Sequence, residues 1–192
     1  MKGFLFKYDA DSADENLKDQ FGCVGCGCTR GIRDPDFWSN ECPVWAICGP
    51  YYRASLQKED SVFFVPKKRS TRKAGLTDYI CSGILVVEEK IPDAKKVMVD
   101  DRLTQRYRES YKADLEAHLK NDKSRTRIVR PKNFIIGDKL RSKWLGKHEI
   151  YLRQILENLD FHNIKMKLSD RRIPSLNENQ TRKLYDALLR RS

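Results

Sequence analysis

Three observations predict an α+β fold. Short apolar runs rich in β-branched and aromatic residues, punctuated by Gly and Pro, occupy the first half of the chain. Apolar residues at helical spacing dominate the second half. Strand-rich and helix-rich stretches therefore follow one another instead of alternating, which is the α+β pattern.

The strands come first. Residues 3–8, GFLFKY, form a strand with Phe4 and Phe6 on one face and Leu5 on the other. Residues 9–20 are polar and acidic, a loop or a short frayed helix, and FGCVGCGC at 21–28 is too rich in small residues for a helix or a strand. Asp34-Pro35 marks a turn. VWAIC at 44–48 is a short apolar run closed by Gly49-Pro50, and the amphipathic residues 51–58 lead into the next strand. Residues 61–65 form that strand, stopped by Pro66, and residues 79–87 form another with Gly83 inside it.

The helices follow. Leu103, Tyr107, Tyr111, Leu115 and Leu119 recur every fourth residue, with Asp100 and Asp101 near the positive helix N-terminus. Ile128 and Val129 predict a brief strand, and residues 133–136 an apolar run ended by Gly137-Asp138. Residues 147–159 are helical. In the last helix Ser175 and Glu178 have capping-box spacing, Leu184, Tyr185 and Leu188 form the apolar face, and Arg190 and Arg191 suit the C-terminal end. One domain over residues 1–192 is expected, with 147–192 as a helical C-terminal extension packed on it.

The chain carries a formal net charge of +11, and the excess is clustered, which points to a polyanionic partner. Between the strands at 61–65 and 79–87 stand Lys67, Lys68, Arg69, Arg72 and Lys73 with no acid among them. Arg125, Arg127, Arg130 and Lys132 form a second cationic group. Both predict contact with a phosphate backbone. Trp38, Trp45, Tyr51 and Tyr52 cluster just before the first group, and Trp144 lies among Arg141, Lys143 and Lys147. Trp45, within VWAI, reads as core. Trp38 and Trp144 have polar neighbours and read equally as core residues or as platforms for a base.

Other chemistries find less support. No P-loop, HExxH or GxSxG is present, and His118, His148 and His162 stand beside no nucleophile motif. Glu88, Glu89 and Lys90 have the flavour of a metal-dependent nuclease, but a strand end entering solvent explains them too. Cys23, Cys26, Cys28 and Cys42 are weak zinc candidates: CxxC is half of a tetrahedral cage, and the other half is poorly spaced. Cys48 and Cys81 lie in apolar runs, as small core residues do. No apolar run approaches the ~20 residues that cross a bilayer. A cytoplasmic protein with reduced thiols, no membrane partner and no cofactor is expected.

The order of the pieces carries a resemblance. FLFKYD, a Cys-containing loop, an apolar segment ending Cys48-Gly49-Pro50, then Arg53, DSVFFVP, YICSGILVVEE and NFIIGDKLRSKWLG follow in turn. This arrangement resembles the PUA-like superfamily, which includes EVE, ASCH and YTH domains, and is most similar to the nucleotide-modification-associated (Nmad) domains. The likeness spans residues 2–145. It implies a bent, partly closed β-barrel decorated by helices, with a pocket for a flipped or modified nucleobase. Several such relatives bind a base without catalysis.

Carried over by position, that pocket draws on Tyr8, Asp9, Cys48, Gly49, Pro50, Tyr51 and Trp144, and Arg53 joins the phosphate-binding set. Three departures stand out: an extra Cys cluster, a longer and more basic loop after Pro66, and Glu59-Asp60 where the resemblance implies Gly-Asp. The expected function is recognition of a modified or flipped base in DNA or RNA, by an aromatic pocket beside a basic rim, with no catalytic residue and with a partner enzyme nearby. The alternative is an enzyme, a nuclease or nucleotide-modification accessory, acting on modified nucleic acid.

Overall fold

The structure is a computed structural model, and it describes residues 1–8, 34–47, 49–66, 81–121, 126–145, 150, 152–159 and 175–191. The fold is α+β, as the sequence predicts. Its sheet is mixed and has seven strands, β1 (Gly3–Tyr8), β2 (Val44–Trp45), β3 (Ser61–Pro66), β4 (Gly83–Ile91), β5 (Phe134–Gly137), β6 (Lys143–Trp144) and β7 (Ser175–Leu176). The strand order is β2-β5-β4-β3-β1-β7, with β6 on β4. Among the described residues this path does not close into a barrel; the resemblance implied a bent, partly closed one. The chain divides into two compact units: unit 1 is Met1–Phe21, Glu59–Leu85 and Lys143–Ser192, and unit 2 is Gly22–Lys58 and Val86–Ser142.

Unit 1 is built on β3. Val62, Phe63, Phe64 and Val65 are all buried, so the strand is covered on both faces, and a continuous apolar run is what such a strand requires. It pairs parallel with β1 from Gly3↔Ser61 to Tyr8↔Pro66. Asp60 fastens its start, accepting a hydrogen bond from the Lys2 backbone N–H at 2.9 Å. Glu59 just before it has φ 72, the left-handed conformation that a glycine holds without strain. The resemblance implied glycine at this position.

β7 pairs antiparallel with β1 at Gly3↔Leu176. A Cβ on Gly3 would stand 2.6 Å from Thr181 Oγ1, so only glycine admits that helix so close. The helix is α6 (Glu178–Leu189). Helix α5 (Leu152–Asn158) is shorter than predicted among the described residues. Leu152, Ile155, Leu156, Leu184 and Leu188 share one core with Leu5, Phe63, Val65 and Ile84, so the C-terminal helices contribute directly to unit 1.

Two expectations need correction here. The N-cap of α6 is Asn177, which forms a full capping box with Gln180, while Ser175 lies in β7. The strand predicted at 79–87 begins at Gly83 and runs on to Ile91.

In unit 2, β5 lies between β2 and the later part of β4, antiparallel to both, with Val44↔Ile136 and Ile91↔Phe134 in register. The register slips between Val87 and Glu89, a bulge that leaves consecutive Glu88 and Glu89 both exposed within β4. The remaining helices are α1 (Pro50–Ser55), α2 (Ala94–Val97), α3 (Gln105–Asn121) and α4 (Thr126–Val129), which runs into a 3-10 helix at Arg130–Lys132.

The fourfold spacing holds: Tyr107, Tyr111 and Leu115 of α3 are buried with Leu103, against Phe134 and Ile136. Tyr111 meets the Phe134 ring edge-on at 5.2 Å. The α3 start differs from expectation. Thr104 Oγ1 accepts the Tyr107 N–H, whereas Asp100 binds the side chain and N–H of Arg102. Ile128 and Val129 are helical, not a strand: the turn places Ile128 in solvent and leaves Val129 half-buried. No helix among the described residues is long and apolar enough to cross a membrane.

Candidate functional site

The site grows out of the turn after β2. The buried Asp34 carboxylate accepts the backbone N–H groups of Ala46 and Ile47, at 2.6 and 2.9 Å, and holds the chain as it leaves the strand. Gly49 then takes a left-handed conformation, φ 62, and Pro50 opens α1 at a position where its missing N–H costs nothing. The helix turns Pro50 and Arg53 inward. Tyr51 and Tyr52 face out, 51% and 41% exposed. At the other end Lys90 Nζ donates to the carbonyls of Ala54 and Leu56, at 3.0 and 2.8 Å, capping the helix with a cation.

Arg53 is the brace of this region. Its guanidinium is fully buried and donates to the carbonyl of Ile47, at 3.2 Å, and to that of Asn133. Asn133 immediately follows the 3-10 helix, and its own side-chain amide donates to the Val129 carbonyl at 2.7 Å. One buried cation thus ties α1 to α4 and the 3-10 helix. Burial lowers the Arg53 pKa to about 10, with the Asp34 charge opposing the fall, so it remains a cation near neutrality. The expectation that Arg53 grips a phosphate does not fit this placement, because a fully buried guanidinium directed at carbonyls lies behind the surface.

Tyr107 and Tyr111 share the same electrostatic neighbourhood with Asp34 and Arg53. Burial pushes the Tyr107 hydroxyl well above its usual range and Tyr111 to about 12. Neither hydroxyl has a hydrogen-bond partner among the described residues.

α4 and the 3-10 helix lie against α1. Arg127, Ile128 and Lys132 are exposed and Arg130 is half-buried. Neither α1 nor the run from Thr126 to Lys132 contains an acid. The structure therefore joins Tyr51, Gly49 and Pro50 from the expected base site with Arg127, Arg130 and Lys132 from the expected phosphate site. Compared with known proteins, the chain matches no family model, no curated protein and no solved structure. The chemistry of the patch rests on its own residues: cations to neutralise phosphates, and exposed π-faces to stack on bases.

The other candidates fall elsewhere. Trp38 is 41% exposed in a turn held by Asp36, whose carboxylate accepts the N–H groups of Trp38 and Ser39. Trp144 is half-buried in β6 of unit 1, opposite Gly83. Trp45 is core, as its apolar neighbours predicted. Asp9, Cys48, Lys67, Lys68, Arg69, Arg72, Lys73 and Arg125 lie outside the described residues, as do Cys23, Cys26 and Cys28; of Tyr8 only the strand position is described.

Cys42 is buried, and desolvation raises its thiol to about 11. Among the described residues no three His, Cys, Asp or Glu side chains gather as a metal site. Glu88 and Glu89 face Arg102, at 3.9 and 2.6 Å, and Arg102 also binds Asp100 at 2.7 Å. The hydrogen bond from Arg102 holds the Asp100 carboxyl below its usual range.

Sequence reasoning missed Ile128 as part of the patch, Asn133 as an acceptor and Arg53 as a brace. Tyr52 stood in the aromatic cluster without being placed in the pocket. Its adjacency to Tyr51 in a short helix after Gly-Pro was the available signal.

Proposed function

We propose that this chain binds nucleic acid, with the backbone on Arg127, Arg130 and Lys132 and a flipped or modified base stacked on the exposed tyrosines of α1. The observation behind this reading is the packing of α1, which carries exposed Tyr51 and Tyr52, against α4 and the 3-10 helix, which carry exposed Arg127 and Lys132 and half-buried Arg130, with no acid in either segment. Phosphate neutralisation draws on a net charge of +11, and stacking on each tyrosine contributes ~1–3 kcal/mol. In this reading the protein is a PUA-like base reader of the cytoplasm, without chemistry of its own, and works beside a partner enzyme. The pairing of Glu88 and Glu89 with Arg102 favours binding over a carboxylate-led nuclease, since those acids already have a cation.

Titration of labelled oligonucleotides by fluorescence anisotropy, over a range of salt, tests it. Arg127→Ala and Lys132→Ala should weaken binding alike on all sequences and each reduce the salt slope by about 1. Tyr51→Ala should weaken binding about tenfold at every salt concentration with little change in slope. Oligonucleotides with and without base modifications then identify the preferred base. Binding that is unaltered by all three substitutions would refute the assignment.

A further inference from the structure

We infer that the α1–α4 surface takes single-stranded nucleic acid in preference to duplex; this rests on the nucleic-acid reading above and specifies its substrate. Tyr51 and Tyr52 are consecutive residues of a helix, so their side chains diverge by about 100° around its axis. Two rings set that way are not opposite walls of one slot. Each offers a face to a different base, and with both half-exposed the base must come to the ring.

In a duplex every base face is covered by its neighbours, and extruding one base costs on the order of a hundredfold in affinity. Stacking on one tyrosine returns about 5- to 150-fold. Extrusion and stacking therefore nearly cancel on a duplex, whereas a strand that is already unpaired keeps the whole gain.

Two further features agree. Helix α1 has six residues, about 9 Å of axis, and its inward face is taken by the buried Pro50 and Arg53, so it is poorly equipped to lie along a major groove and read base edges. Ile128, 68% exposed between Arg127 and the 3-10 helix, offers an apolar face that suits an unstacked base and is wasted on a phosphate.

The test compares one labelled oligonucleotide as a single strand and after annealing to its complement, at equal salt. The single strand should bind at least about tenfold tighter. The double variant Tyr51→Ala, Tyr52→Ala should abolish the preference, bringing single-strand and duplex affinities within about twofold of each other. Equal or tighter binding of the duplex by the unaltered protein, or a strand preference that survives the double variant, overturns this inference and leaves the nucleic-acid reading intact. Failure of the unaltered protein to bind either form overturns both. Circular dichroism of the double variant confirms that the fold persists, since both side chains lie on the surface.

Discussion

Units 1 and 2 bury different kinds of side chain. The described core of unit 1 is aliphatic but for Phe6, Phe63, Phe64 and Cys81, and its buried polar residues are Asp60, Ser61, Ser82 and Thr181. Unit 2 buries Asp34, Asp36, Arg53, Asp114 and Asn133, together with Tyr107 and Tyr111. Burying charge is expensive, and dry packing of equal volume is often as stable. The difference teaches that unit 2 gives up packing economy for position: Asp34 and Arg53 set where α1 and the cationic segment stand, whereas among the described residues of unit 1 the one buried charged residue is Asp60, which fastens β3 to Lys2.

The largest expected effects separate the two kinds of core. Arg53→Met removes the donors to Ile47 and Asn133 and the attraction between the Arg53 and Asp34 charges, so it should cost about 3 kcal/mol in urea unfolding. Leu184→Ala in unit 1 should cost a similar ~3 kcal/mol through its cavity. The two should diverge in binding. At temperatures where both are folded, Arg53→Met should weaken oligonucleotide affinity with no change in salt slope, and Leu184→Ala should leave affinity alone. Equal affinities in the two variants would erase the contrast drawn above.

Smaller effects sharpen it. Asn177→Ala removes the capping box of α6 and should lower stability by about 1 kcal/mol, measured by thermal unfolding. Tyr111→Phe deletes a buried hydroxyl that has no hydrogen-bond partner among the described residues, so it should be neutral or stabilise by up to ~1 kcal/mol. A clear loss would show that the hydroxyl is hydrogen-bonded in solution and that the polar core is tighter than it looks. The smallest change is Glu59→Gly, expected within about 0.5 kcal/mol of the parent because relief of the left-handed backbone offsets the extra chain entropy. Glu59→Val should cost about 1 kcal/mol more, since a β-branched residue fits that conformation worst.

Where local chemistry decides the structure, the sequence was legible. β1 and β3 are apolar runs with Gly3 and Pro66 at their ends, and α3 keeps its fourfold spacing. Where partners are distant in the chain, it was not. Arg53 was read as a surface cation because its acceptor at Asn133 lies 80 residues away. Ile128 and Val129 carry β-branched side chains, yet the turn that buries Asn133 makes them helical. The cap of α6 was misplaced because Ser175 and Asn177 both fit the rule, and pairing of residues 175–176 with β1 settles which one is free to cap. Of the candidate site, the cations and Tyr51 were visible by type. Their adjacency was not, since it depends on that same long-range brace.

The pairing of Gly3 with Leu176 has a consequence for synthesis. Every segment of unit 2 has been translated once Ser142 is made, but unit 1 still lacks β7 and α6, whose Leu184 and Leu188 complete its core. At ribosomal speeds of about 5–20 residues per second, the roughly 45 residues between Ser142 and Leu188 take some seconds to add. Throughout that interval the edge of β1 that β7 covers in the finished sheet stays open, a sticky nascent ribbon until residues 175–176 arrive.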